Sequence, residues 1–560
     1  MKKIVLIAFC VFLSSCHHSE QVHFAVIPHH NLVRNDIRDF YRVLQWQFPE
    51  VQRIILISPN HFARLQTSFA EFPSNGRYCF SKQPQDCVSG ISLDLTRSDD
   101  YTHIFPRERN TFMVQDHGIG EHFSMIQEFF PQTSVAGILL KIDPNVTEKL
   151  DSLLQKIQAD TIPTLVIASV DFSHHVPDII ARFHDAKTND FLAGKTPYSD
   201  LEVDCPNCLV AVKNMAHAYG QSYFELYKRT SVDSVLNIQS LYENTSHIFG
   251  YFTNKPTQNI LLPSEKSYTF SQPLPWKTPV YGILFGDAHF TRWFTDPKNR
   301  EDPLSYFACF FHHADITHKP KFWHNRLLYG FDITWINLET SLASNDECIL
   351  SGKETSLQTN PNNIQYFSDI GFNLFNLANN HTHDCGDSGF AATKSHLDEN
   401  GLPHVGNGNN TDTVLLKKFW DTNIAFISFN TIETTYDTEK ILSQIRQSTD
   451  EWYVVIVQAH WGTEYASEAN ATQQTLAHEM VDAGAKMIVW HHPHTVQNKE
   501  IYRGVPIFYS LGNFIFDQPF PQTLTGQAVL FRATGSDITY ESVLFDRDAK
   551  NSLIDCASWR

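Results

Sequence analysis

The sequence predicts an α/β protein made of two domains, and three observations carry that prediction. At 560 residues the chain is longer than one hydrophobic core normally supports. Hydrophobic residues make up 42% and charged residues 19%, the balance of a folded chain and not of a disordered one. Short apolar runs, each ending in polar residues, alternate with stretches of helical spacing on both sides of a proline-containing break.

The first element is MKKIVLIAFCVFLSSC, two lysines and an apolar run that ends in small residues before Cys16. The run is too short to span a bilayer and reads as an export signal. Leu13, Ser14, Ser15 and Cys16 resemble a bacterial lipobox, so residues 1–16 are expected to be a lipoprotein signal that leaves Cys16 lipidated. The position after the cysteine is His17 and not Asp, which suits an outer-membrane address in a Gram-negative source. The expected location is therefore the cell envelope, outside the cytoplasm. Disulfides are permitted there, and Cys79 with Cys87 is the expected pair.

From about residue 22 to 253 strands alternate with helices. Residues 53–57 and 164–168 read as buried parallel strands, and 146–159 as a helix with Val146, Leu150, Leu153, Leu154 and Ile157 on one face. Residues 254–279 hold several prolines and little periodicity and read as a linker. Alternation resumes with apolar runs at 280–285, 332–336, 374–377, 424–427, 454–457 and 487–490, and 521–560 reads as further strands or a tail. The formal net charge of −18 and the lack of an offsetting basic run argue against nucleic acid as a partner.

The chemistry sits just past these strands. Asp287 and His289 follow the first run of the second half, and Asn337 and Glu339 the second. Asn380 and His381 follow the third, His460 and Glu464 the fifth, and His492 and His494 the sixth. Ligands of open α/β sheets gather at the carboxyl ends of strands, so these clusters can meet. An Asp, a Glu, an Asn and several His suit two divalent transition metals, Mn, Fe or Zn, which would clamp a phosphoryl group and ionise water. The order of motifs, with the spellings NLET, LANNHTHDCG, HWGTEY and HHPHTVQ, resembles the CapA-like branch of the calcineurin-like metallophosphoesterases over about residues 280–520.

By that resemblance the second domain is a calcineurin-like α/β sandwich. Asp287, His289, Glu339 and His494 would hold one metal, and Glu339, Asn380, His460 and His492 the other. His381 would be the acid, with Asp384 behind it; Glu464 and Asn513 are pocket candidates without an assigned role. Two departures, Trp490 in place of a glycine and Glu339 in place of Asp, bear on whether one metal or two is held. The implied work concerns a poly-γ-glutamate-like surface polymer or its synthesis machinery, as a metal-dependent hydrolase.

The first half has a parallel set: His29, His61, His122, Asp171 and His174 near strand ends, with Cys205 and Cys208. The PH, SPNH, EH and DFSH motifs resemble the Memo family (AmmeMemoRadiSam system protein B), whose fold is related to extradiol dioxygenases. The resemblance implies Fe or Cu on His29, His61 and Cys205, with His122, Asp171 and His174 lining the pocket; a plain Cys205–Cys208 bridge is the alternative. Two other functions compete with the hydrolase: a non-catalytic scaffold that binds metal or polymer, and a redox or metal-handling protein led by the first domain.

Overall fold

The computed structural model describes residues 21–61, 69–71, 76–80, 83–91, 93, 116–140, 146–174, 176–196, 201–238, 244–256, 278–291, 328, 330–353, 355–410, 413–547 and 554–555. Cys16, its signal segment and most of the expected linker 254–279 lie outside them. The chain divides into two compact units, Met1–Ser267 and Tyr268–Arg560.

The sheet of the first unit is centred on four parallel strands, β1 (Val22–Ile27), β2 (Arg53–Pro59), β3 (Ser134–Leu140) and β4 (Thr164–Ser169), side by side in the order β3-β2-β4-β1. Beyond β1 it continues with antiparallel β6 (Ser246–Thr253) and β5 (Tyr223–Ser231). On the far side, the hairpin of 76–79 and 87–90 is closed by the Cys79–Cys87 disulfide, the pair expected from the sequence. The central strands read as unbroken apolar runs because both faces are covered. Phe24, Val26, Ile55, Ile57 and Val166 pack toward Leu209, Val212 and Met215 of the helix Pro206–Ala218. The alternate set Ala25, Ile27, Ile54, Leu56 and Leu165 meets Ile37, Phe40 and Leu44 of the helix Arg34–Gln47. The helix expected at 146–159 is present with those bounds.

The second unit has two main sheets face to face. One runs β9-β8-β7-β14-β15, from β7 (Val280–Ala288), β8 (Ile333–Leu338), β9 (Leu374–Asn376), β14 (Thr525–Thr534) and β15 (Asp537–Arg547). The other is a parallel stack of β10 (Thr422–Asn430), β11 (Val454–His460), β12 (Met487–His491) and β13 (Val505–Phe508). Leu284, Trp335, Val529 and Phe531 of the first sheet fill the space between the sheets with Phe426, Ile456, Val489 and Phe508 of the second. Trp335 meets Phe426 edge-on at 4.9 Å. The opposite face of the second sheet, including Ile427, Val457 and Trp490, packs on Ile441, Ile445, Leu476 and Met480 of two helices, Thr438–Asp450 and Ala471–Asp482. Trp490 stacks on Trp461 at 5.4 Å, on this helical face. The side chain that replaces the glycine is thus taken up in the core on the helical face. Residues 525–547, read from sequence as strands or a tail, complete the first sheet: β14 pairs along β7, and β15 along β14. Among the described residues no helix is long and apolar enough to cross a membrane.

Candidate metal centres

Parallel pairing puts the carboxyl ends of β7, β8 and β9 level, with Asp287 opposite Asn337 and Asn337 opposite Asn376. In the second sheet the same register puts Asn430, His460 and His491 on one rung. The site is assembled along these two polar rungs. Asn337 is the hub: its amide donates to Asp287 Oδ1 at 2.8 Å, and its carbonyl accepts from Asn376 at 2.7 Å and Asn379 at 3.2 Å.

Two groups of donors share one carboxylate. Glu339, His460 and His492 form one, and Asp287, Glu339 and His494 the other, with ligand atoms in each within 4.8 Å of one another. Glu339 Oε1 stands 3.5 Å from His460 Nε2 and 3.8 Å from His494 Nε2. Asn380 Oδ1 lies 2.8 Å from His460 Nε2 and adds a fourth donor to the first group. His494 Nδ1 donates to Asn513 Oδ1 at 2.9 Å and also faces Asp287 Oδ2 at 3.3 Å, so Nε2 is the ring nitrogen turned toward Glu339. That gives Asn513 a role the sequence did not assign.

Electrostatics fit a cation here. Burial pushes the Glu339 carboxyl well above its usual range, and the charges of Asp287, Glu464 and Asp384 add to the effect. Burial opposes ionisation of Asp287 too, but hydrogen bonds and charge from His491 and His494 hold it well below the usual range. Burial and neighbouring imidazoles push His460 well down and His492 down to about 3, so both are neutral, the form a metal binds. Glu339 Oε1 and His492 Nδ1 are buried with no hydrogen-bond partner. A divalent ion on this carboxylate would satisfy what the protein leaves open.

His381 is next to this centre. Its Nδ1 is 2.6 Å from Asp384 Oδ2, and its backbone N–H donates to Asn379 Oδ1 at 3.1 Å. His289, expected as a ligand, is not gathered with the others. Its Nδ1 accepts from the Thr291 N–H at 3.2 Å and its Nε2 donates to Asp517 Oδ1 at 3.2 Å, which engages both ring nitrogens. His491 was missed, although it lies beside the HPH motif; its Nδ1 is 3.0 Å from Asp287 Oδ1.

The first unit also gathers donors at strand ends. His29, His61 and His117 form one group, and His29, Asp171 and Asp204 another. Ser169 donates its hydroxyl proton to the Gly118 carbonyl at 2.6 Å, so it accepts from His29 Nδ1 at 3.0 Å and His122 Nε2 at 2.9 Å. That arrangement leaves His29 Nε2 facing Asp204 Oδ2 at 3.2 Å. His61 Nδ1 is 2.8 Å from Asp116 Oδ1, which turns Nε2 toward the same carboxylate at 3.8 Å. Burial lowers His61, but hydrogen bonds to Asp116 and Asp204 outweigh it and lift the imidazole to about 9. His122 stands behind Ser169 and bonds the Tyr41 hydroxyl at 2.9 Å, and the backbone of His174 forms an isolated antiparallel bridge with that of Thr245. Cys205 needs correcting: it is disulfide-bonded to Cys208 and offers no thiolate. Asp204, one residue earlier, and His117 occupy the surroundings of His29 and His61. Nothing in the local spelling of either residue marks it; both arrive through the fold.

Residues 283–518 match the family model of the bacterial capsule synthesis protein PGA_cap. The C-terminal region is a PGA_cap domain. It is 36% identical over 188 residues to the PGA biosynthesis protein CapA of Bacillus subtilis (strain 168), a match covering 30% of this chain and 50% of that protein. It is 35% identical over 191 residues to the capsule biosynthesis protein CapA of Bacillus anthracis, covering 30% and 46%. The chain thus spans about half the length of the curated relatives it matches. A phosphatase structure from Mycoplasma pneumoniae aligns over 50% of this chain and 97% of its own, at 13% identity and a TM-score of 0.31. The PGA_cap domain has the two-sheet α/β architecture expected of a calcineurin-like domain.

Proposed function

We propose that the PGA_cap domain is a two-metal phosphoesterase-type enzyme serving the synthesis, export or attachment of a polyglutamate-like surface polymer. The observation that carries this reading is the sharing of Glu339 by two donor groups, with its Oε1 buried and unsatisfied. Asp287, Glu339 and His494 would hold one divalent ion, and Glu339, Asn380, His460 and His492 the other. Bound there, such ions polarise a phosphoryl oxygen and lower the pKa of a coordinated water. The protein's own part is positional and acid–base. Asn337 aims Asp287, Asn513 sets the tautomer of His494, and Asp384 engages His381 Nδ1 so that Nε2 can give a proton to the departing oxygen.

The names of the Bacillus relatives supply the polymer context. The lipobox-like sequence supports an envelope protein tethered through Cys16. The Memo-like reading of the first unit is retained as a second metal-holding domain. Its donors are imidazoles and carboxylates, which suit Fe better than a thiolate-dependent Cu site would.

The test uses the soluble form from His17 onward, its metals counted by mass spectrometry and a generic phosphodiester assayed. Two transition metals in the PGA_cap domain are expected, with turnover lowered about 10²–10⁴-fold in His381→Ala at unchanged metal content. Metal without turnover across a broad ester panel would instead support a binding scaffold. Metal confined to the first unit would overturn the proposal.

A further inference from the structure

Asp384 has one oxygen fully used and one not. Its Oδ2 takes His381 Nδ1 at 2.6 Å and the Leu357 backbone N–H at 2.7 Å. Its Oδ1 is buried with no hydrogen bond, and faces the ammonium of Lys353 at 3.4 Å. Lys353 Nζ also donates to the carbonyl of Asn380 at 2.5 Å and pairs with Glu433 at 2.8 Å. One ammonium therefore touches both the peptide joining Asn380 to His381 and the carboxylate behind His381. The segment that carries Lys353 is fastened to the same place. Cys348 is bridged to Cys385, Ile349 N–H donates to the Cys385 carbonyl at 3.2 Å, and Ser351 N–H to that of Asp384 at 2.8 Å.

We propose that Lys353, braced by Glu433, is the positioning residue of the His381–Asp384 acid, and that the site is built for esters whose leaving group is an alcohol. This inference rests on the phosphoesterase reading. The physical reason is twofold. A buried carboxylate beside one imidazole is held in place more firmly when its second oxygen faces a cation. The same cation ties the peptide that joins Asn380 to His381 to the carboxylate that stands behind the acid. The orientation of His381 against Asp384 is then steadied by one side chain.

The chemistry defines which substrates need the device. Water oxygen bonds to phosphorus and loses its proton to solvent, the bond from phosphorus to the leaving oxygen breaks, and the Nε2 proton of His381 goes to that oxygen. A nitrophenolate leaves as the anion and gains little from the proton. An alkoxide, such as a sugar or lipid hydroxyl would form, needs it. A positioned acid of this kind is of use only for the second class.

The experiment measures kcat and KM of the metal-loaded soluble form on phosphodiesters of graded leaving groups: 4-nitrophenol, phenol and a simple alcohol. Lys353→Met is expected to lower kcat on the alkyl ester about 10–100-fold and on the 4-nitrophenyl ester less than about threefold, with KM and metal content held. Lys353→Arg should restore most of the loss, and Glu433→Gln, at an exposed position, should give a smaller change of the same pattern. An equal loss on all three esters, or none, would overturn the role of Lys353 while wild-type turnover leaves the parent reading standing. Absence of wild-type turnover on every ester would overturn both.

Discussion

Glu339 Oε1 and Lys213 Nζ are both polar atoms in places that disfavour charge, and they differ in what would relieve them. Glu339 is fully buried among Asp287, Glu464 and Asp384, so its charge is worth having only when a cation shares the space. Glu339→Gln is therefore expected to empty both metal positions and yet raise the melting point of the metal-stripped protein, by about 1–3 kcal/mol of stability. Metal analysis and thermal melts in chelator check the two halves. Lys213 is a different case, a nearly buried amine 3.9 Å over the ring of Phe191, whose removal from water lowers it from 10.5 to about 8. Between those two values the unfolded chain binds more protons than the folded one, so this residue makes stability rise with pH from about 8 to 10.5. Lys213→Met should stabilise the protein by about 1–3 kcal/mol at pH 7, with the gain fading above pH 10, as read from urea midpoints at several pH values. At this scale the sequence was partly legible. Residues spelled in clusters at strand ends, such as Asp287, Asn380, His460, His492 and His494, were visible, because strand ends are where parallel sheets present ligands. Lys353, His117 and Asp204 were not. Each is a lone residue whose neighbours come from distant parts of the chain; for Cys205 the spelling allowed both a metal and a bridge to Cys208, and the bridge is what forms.

The strands were legible as runs and less so as lengths. Apolar continuity marks β7 only to residue 285, but the strand runs on through Gly286, Asp287 and Ala288, polar side chains being tolerated where a site lies beyond the core. The hairpin of β14 and β15 was left open as strands or a tail, since its partly exposed outer strand gives a weaker apolar signal than a strand buried on both faces. Its partner β14 is buried along nearly its whole length. Gly286 shows how close the elements come. A Cβ there would lie 1.9 Å from the carbonyl oxygen of Gly512, the same carbonyl that accepts from the Asp287 N–H at 3.0 Å. Gly286→Ala must push the 512–515 segment outward, and with it Asn513, the partner of His494. The expected cost is about 2–3 kcal/mol together with weaker metal binding, measurable by denaturation and metal titration on one preparation.

Across the whole molecule the same solution appears twice, a parallel sheet with donors collected at its carboxyl edge, once in each unit. The two centres differ in how they are held. The first relies on Ser169 and Asp116 to turn imidazoles inward, the second on Asn337 and Asn513. If the units work independently, His61→Ala should remove metal from the first unit only and leave phosphodiester turnover within about twofold of wild type. Loss of turnover in that variant would show that the centres are coupled.

The bridge between Cys348 and Cys385 has a consequence for handling the protein. The chain between the two cysteines carries Lys353, Asn380, His381 and Asp384, so the whole acid assembly is enclosed in one covalent ring. A mild dithiol would open that ring without touching any residue that faces a metal. Preparations made in reducing buffer should thus keep their metal and their turnover of activated esters while losing activity toward alkyl ones, and reoxidation should bring it back. On the proposed reading, an assay run with reductant and a chromogenic ester alone would not register that loss.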